Sequence, residues 1–269
     1  MDILKRSLAP IVPAAWEEID EQAKAVFKGV LAGRKAVGVT GPLGWNCDSV
    51  SEGTLSLVEE TPVEDVSYGI RESLPLVEVR VPFSMPMWDL DDISRKSKTV
   101  DFSPVIEAAR KAALFEDTAI FRGLEDAGIL GMELEADNDH VELALEDESI
   151  LQAVAEALTI LGSHSVEGPY ALVCPLPLWT KIKTSSQGYP LINRIKDLLG
   201  DDSRIILSPQ YQTSMLASIK EGNCELVIGQ DFSIGYQSHT NTDVSFFITE
   251  TFTFRVLVPE SIVLFKTKE

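Results

Sequence analysis

The strongest constraint on this chain lies near its C-terminus. From Phe246 the even positions read Phe246, Ile248, Glu250, Phe252, Phe254, Val256 and Val258, while Thr249, Thr251, Thr253 and Arg255 fill odd positions between them. Period-two alternation sustained this long predicts a β-strand with one buried face. Pro259 breaks it, and Ile262-Val263-Leu264-Phe265 predicts another strand. With the helices found elsewhere in the chain, such a strand belongs to a helix-backed sheet.

Trp16, Ile19, Ala23, Val26, Phe27, Val30 and Leu31 recur at spacings of three and four, one face of an amphipathic helix that Pro13 opens and Gly33 can stop. Ser103 followed by Pro104 predicts a second helix with Ser as N-cap. It runs through Ala108, Ala112, Phe115, Ala119 and Ile120 to end near Gly123 or Gly128. On that helix Glu116 and Asp117, with Glu107 and Arg110, read as a solvated face of ion pairs. Residues 74–83 predict a strand returning to the core. A helix at 148–161, a strand at 170–173, a helix at 190–199, a strand at 204–207 and a hairpin around Glu221-Gly222-Asn223 form a second, smaller α/β unit.

Residues 48–74 differ from both units. Ser49, Ser51, Gly53, Glu59, Glu60 and Asp65 alternate with Val50, Leu55, Leu57, Val63, Val66 and Tyr68, without helical period. This predicts an extended two-stranded arm that buries little against its own domain and needs a partner surface, such as another chain.

Composition narrows the function. Against 23 Lys+Arg stand 42 Asp+Glu, a formal net charge of −19. Nucleic-acid binding wants a cationic face, so it is not expected. Hydrophobic residues make up 45% of the chain, but no run approaches the roughly 18 apolar residues of a membrane span. Three separated cysteines, Cys47, Cys174 and Cys224, give no disulfide framework, which favours a reducing, cytoplasmic setting. His140, His164 and His239 lack metal-ligand spacing, and no metal site is expected. The aspartates around Leu90 (Asp89, Asp91, Asp92) read as turn and cap residues. Gly229-Gln230-Asp231-Phe232-Ser233-Ile234-Gly235 lacks the ending of a phosphate loop, and no serine sits in a GxSxG elbow. The residues offer no catalytic constellation, which favours a structural or binding protein over an enzyme.

Several motifs then carry a resemblance. Residues 1–10, Trp16-Glu17-Glu18-Ile19-Asp20 and Leu31-Ala32-Gly33-Arg34-Lys35 resemble the opening of encapsulin shell proteins. Gly41-Pro42-Leu43-Gly44-Trp45, Leu74-Pro75-Leu76-Val77-Glu78, Leu114-Phe115-Glu116-Asp117, Ile120-Phe121-Arg122-Gly123, Glu167-Gly168-Pro169-Tyr170, residues 229–236 and residues 249–254 follow in the family's order. The chain departs from it at Asn46-Cys47-Asp48-Ser49 and at Gly38, where several relatives have Asp.

The resemblance implies an α+β fold, that of the tailed-phage major capsid protein, and self-assembly into a closed icosahedral nanocompartment. It implies a peripheral domain of residues 1–47, 77–129 and 225–269, an extended loop of 48–76 and an axial domain of 130–224. A cargo enzyme (ferritin-like, peroxidase or another iron or redox protein) would dock its C-terminal targeting peptide on Phe27, Leu31, Arg34, Phe232, Ile234 and Tyr236. Apolar peptide residues would fill a shallow groove there, with Arg34 fixing orientation; core packing is the competing reading for Phe27 and Ile234. The five-fold pore would be lined by Thr184, Ser185, Ser186, Gln187, Gly188 and Tyr189, a neutral loop. Some relatives bind a flavin beside the tryptophan matching Trp88, but Met85-Pro86-Met87 precedes it here. The expectation is no resident cofactor, with flavin at Trp88 as the alternative. Partners would be about sixty copies of the chain itself, the simplest closed icosahedral set, and the cargo. A viral or prophage capsid protein is the alternative function.

Overall fold

The computed structural model describes residues 3–185 and 188–267. A short turn at Arg6–Leu8 leads into helix α1 (Pro13–Val30), which buries Ala15, Ile19 and Ala23 on the face that the spacing predicts. Helix α2 (Gly33–Ala36), strands β1 (Gly38–Thr40), β2 (Ser49–Leu57), β3 (Gly69–Pro75) and β4 (Val77–Pro86), and helices α3 (Met87–Ser94) and α4 (Ser103–Phe121) complete the first half. The second half begins with α5 (Met132–Glu135), β5 (Val141–Leu143), α6 (Asp147–Ser163), β6 (Tyr170–Cys174), α7 (Leu176–Thr184) and α8 (Leu191–Leu199). Strands β7 (Arg204–Leu207), β8 (Ser214–Ser218), β9 (Cys224–Ile228), β10 (Ser233–His239), β11 (Asp243–Val256) and β12 (Ile262–Thr267) finish it.

Strand β11 organises the first sheet. Antiparallel β4 runs along one edge, from Phe252 opposite Val77 to Asp243 opposite Pro86. The other edge is shared by β10 and β9, and β1 adds to β9 in parallel. Helices α1 and α4 cover the even-numbered face. Trp16 meets Phe246 edge-on at 5.3 Å, and Phe115 meets Phe252 at 6.3 Å between ring centroids. The odd face is not open to water as the alternation predicts, for Thr249, Thr251 and Thr253 are buried too. Neighbouring strands and loops close over it: Arg80 lies over the Phe247 ring at 4.3 Å, and Thr251 Oγ1 accepts the Gln230 N–H at 2.7 Å. Gly235 is required there, since a Cβ would sit 2.3 Å from the Phe247 ring.

The second sheet has the order β5-β12-β8-β6-β7 and packs against α6, α7 and α8 through Ile150, Leu161, Leu172, Ile182 and Ile195. Two features here differ from the sequence expectation. The turn at Glu221-Gly222-Asn223 joins β8 to β9 but makes no hairpin, because β8 pairs with β6 and β12 while β9 pairs with β1 and β11. Strand β12 also belongs to this second sheet, whereas the expected division places residues 225–269 wholly in the first unit.

The predicted arm is a two-stranded antiparallel sheet, β2 on β3, with a register shift between Ser51 and Leu55. The single strand expected over 74–83 is cut at Leu76, whose N–H bonds to Asp48 O at 2.9 Å; the arm ends there and β4 enters the core. Helix α4 begins one residue before its expected start. Ser103 is its first helical residue and not the N-cap, which is Phe102, and Asp101 just outside accepts the Ser103 N–H at 2.9 Å. Among the described residues no helix is long and apolar enough to cross a membrane.

Candidate functional site

The corner between α1 and α2 is pinned from below by α4. The Ala32 N–H bonds to both carboxylate oxygens of Asp117, at 3.1 and 3.0 Å, and the Gly33 N–H to Oδ1 at 2.8 Å. Gly33 permits the close approach, because a Cβ there would fall 2.5 Å from Ile120 Cδ1. With the corner fixed, Arg34 reaches back beneath the chain. It donates to Glu116 from Nε and Nη2, at distances down to 2.7 Å, to Glu250 at 2.5 Å, and pairs with Asp231 at 2.9 Å. Its guanidinium also lies 4.9 Å from the Phe232 ring centre.

Above this network lies a groove of about 560 Å³ between α1, the start of β10 and the N-terminal segment. Phe27 and Phe232 stack across it with ring centroids 4.2 Å apart and planes 10° from parallel. Leu31 and Ile234 line it as well, although both are nearly buried, Ile234 within the core under α1. The structure therefore brings together five of the six residues proposed from the resemblance. Tyr236 stands apart: its hydroxyl pairs with His239 Nδ1 at 2.5 Å, and its N–H donates to Leu4 O at 2.8 Å.

Arg34 occupies a different position from the one imagined for it. Its charge is committed to three carboxylates of its own chain, so it holds the groove floor in place instead of presenting a free cation. Glu116 and Glu250 are fully buried. Burial pushes the Glu250 carboxyl well above the usual carboxylate range, and the neighbouring Glu116 charge pushes it further. The second Glu250 oxygen is buried without a hydrogen-bond partner, so the Arg34 guanidinium is the group that holds this side chain. Burial disfavours the charge on Arg34, but the hydrogen bond and charge of Glu116 outweigh it and raise its pKa. Asp117 is pushed up to about 7 by burial, against the pull of the Gly33 and Ala32 N–H groups.

These acids are what sequence reasoning missed, since Glu116 and Asp117 were expected on a solvated face. Two signals pointed to them. Glu116 lies on the apolar stripe formed by Ala109, Ala112, Ala113 and Ile120, and Glu250 interrupts the apolar face of β11 between Ile248 and Phe252. A charge inside an apolar repeat calls for a buried partner.

The other expected sites are more scattered. Thr184 ends α7 and donates to Thr180 O at 2.9 Å, while the Ser185 hydroxyl bonds to Asp147, which also pairs with Lys181 at 2.8 Å. Gly188 has φ +78° and Tyr189 is exposed; Ser186 and Gln187 lie outside the described residues. Trp88 stands 72% exposed at the start of α3.

Comparison with known proteins agrees with the fold. A family model described as "Encapsulating protein for peroxidase" matches residues 1–253. The type 1 encapsulin shell protein of Rhodococcus erythropolis is 36% identical over 268 residues, covering 98% of this chain and 99% of that protein. Among solved structures, the virus-like particle from Pyrococcus furiosus is similar with a TM-score of 0.66 at 18% identity, covering 93% of this chain and 98% of its own. The capsid of the Myoviridae phage XM1 is similar with a TM-score of 0.55 at 12% identity, covering 88% and 90%. At such identities the structural likeness speaks for the tailed-phage capsid fold alone.

Proposed function

We propose a cargo-carrying compartment, from the premise that this chain belongs to the type 1 encapsulin shell-protein family. It is a structural protein that assembles with copies of itself into a shell. The finer reading is a closed icosahedral cage of about sixty copies in the cytoplasm, without catalysis of its own. Its inner groove holds the C-terminal targeting peptide of an enclosed ferritin-like, peroxidase or other iron or redox protein. The full-length kinship to a shell protein favours this over a viral capsid, for which the likeness is one of fold.

The observation that carries the dock is the Phe27–Phe232 stack, half-buried at the bottom of a groove with Leu31 and Ile234 beside it. An aromatic pair left partly wet gains free energy when apolar peptide side chains displace water from it, about 25 cal/mol per Å² covered. Arg34 acts as a positioning residue that fixes the Phe232 ring from beneath. The pore loop around Ser185 and Tyr189 would be the passage for small solutes at the five-fold axis. Flavin has no role in this reading.

The test is Phe27→Asp in shells co-expressed with a cargo protein bearing the targeting peptide. Native mass spectrometry should find intact, empty cages. Cargo retained at the wild-type level would overturn the dock while leaving the shell assignment intact.

A further inference from the structure

We infer that the groove selects peptides in which apolar side chains alternate with acidic ones, a preference that rests on the targeting-peptide reading and specifies its ligand. The chain as a whole carries −19, yet its groove is lined by Arg6, Lys24, Lys28, Arg34 and Lys35 against only Asp20 and Asp231.

Both acids are already taken. Asp20 receives Arg6 Nη2 on both oxygens at 2.7 Å, and Arg6 in turn lies 4.1 Å from the Trp16 ring centre. Asp231 pairs with Arg34 at 2.9 Å and accepts the Phe232 N–H at 2.8 Å. The charge of each arginine is thus paired within the chain. The three lysines are not. Lys24 makes only a loose pair with Glu21 at 3.4 Å, and among the described residues neither Lys28 nor Lys35 has a carboxylate within ion-pair distance. Lys35 Nζ instead donates to Lys28 O at 3.3 Å, which holds it beside the end of α1.

Helix capping explains part of this. Lys28 sits in the last turn of α1, where a cation complements the helix dipole. That accounts for one lysine, not for three around a single apolar floor on a strongly acidic protein. Lys24 and Lys28 are four apart on one helix face, and Lys35 stands across the corner. A neutral peptide would use the Phe27–Phe232 floor and leave this rim unanswered. Carboxylates placed beside the apolar anchors would answer it. Exposed pairs of this kind are each weak, so three together amount to about tenfold in affinity at moderate salt. The advantage should shrink as salt rises.

The experiment co-expresses the full-length shell protein with two fluorescent proteins of different colour, each ending in a short test peptide. The peptides share Leu and Ile anchors separated by Asp, by Asn or by Lys; a fourth carries Asp with Ser in place of the anchors. The colour ratio in purified shells reports selection. The Asp peptide should load several-fold over Asn, Lys should load least, and the anchorless peptide should stay out. In Lys28→Glu/Lys35→Glu shells the order of Asp and Lys should reverse. Should that variant fail to assemble, Lys28→Gln/Lys35→Gln shells should lose the Asp preference while still loading all three anchored peptides. Equal loading of the anchored peptides, or an order that the lysine variants leave unchanged, overturns the charge selection and leaves the dock standing. Exclusion of every anchored peptide from wild-type shells overturns the dock itself.

Discussion

Strand β11 and the β2–β3 arm are both long β segments, yet they meet opposite fates within one chain. From Phe246 to Phe254 every side chain of β11 is buried, whereas Leu55, Leu57 and Ile70 of the arm stand 54%, 74% and 61% exposed. The difference is one of neighbours. β11 has β4 on one edge and β10 and β9 on the other, with α1 and α4 across its even face. The arm pairs only with itself, tied to the body at its base by Leu76, by the Arg255 hydrogen bond to Ser51 O at 3.0 Å and by buried Leu74. Each large apolar side chain left in water forgoes about 1.5–3 kcal/mol of burial. What β11 obtains inside the chain, the arm can obtain only from another copy, and its open edges ask for the same thing.

The largest effect should come from breaking that dependence. Leu57→Asp/Ile70→Asp should abolish shells, seen by negative-stain microscopy, while leaving the melting of the isolated chain within a few degrees of wild type. Shells that survive the double substitution would mean that the arm is not the contact between copies. The reverse experiment targets the covered region. Arg34→Ala strips the cation from fully buried Glu116 and Glu250, and removing one partner of a buried ion pair typically destabilises by about 3–5 kcal/mol. Chemical denaturation should record a loss of that size, and Arg34→Lys should restore only part of it, because a single ammonium cannot serve three carboxylates.

How far these two regions could be read in advance differs as well. The arm was legible because its cause is local: alternation, turn residues and the absence of a helical period within one stretch. The helices α1, α4 and α6 were legible for the same reason. The acid network was not, since Glu250 lies 216 residues from Arg34 and Asp117 lies 85 from the amide it holds. A carboxylate pair on a helix looks alike whether its partner is solvent or a distant guanidinium. The same limit hid the switch of sheet between β8 and β9 and the placement of β12. Helix α7 was missed because prolines crowd its start and only Leu178 and Ile182 are buried, too few to set a period. For the groove, the resemblance supplied Phe27 and Phe232, and only the structure could show that Arg34 is already occupied.

The covered face also has a pH signature that the arm lacks. Asp117 titrates at about 7 and Glu250 well above the usual range, both because burial favours the neutral acid. An acid with a raised folded pKa gives stability that is complete below its unfolded pKa, about 4, and is lost as pH rises through the folded value. The melting temperature of the shell should therefore fall between about pH 5 and pH 8 by several degrees. Glu250→Gln keeps an acceptor for Arg34 but cannot ionise. It should raise the melting temperature at about pH 8 and change little near pH 5. An equal shift at both values would show that the effect is packing, not protonation.

The smallest effect should come from the surface counterpart of Arg34. Arg95 also spans two acids, with Nη1 2.5 Å from Asp92 and Nη2 3.9 Å from Asp91, in what looks on paper like a similar network. Its side chain is 56% exposed and its partners 57% and 45%, so water answers every charge when the contact breaks. Holding a flexible arginine in one geometry offsets much of what the contact gives, and exposed pairs of this kind contribute about 0.2–1 kcal/mol. Arg95→Ala should lower stability by no more than that at low salt and by nothing measurable at about 1 M salt, where the Debye length is about 3 Å. Arg34→Ala should keep its full effect at the same salt, because screening ions cannot enter the space between buried groups. Equal salt sensitivity in the two variants would mean that the acids beneath the groove are wet, and the contrast between covered and uncovered regions would lose its physical basis.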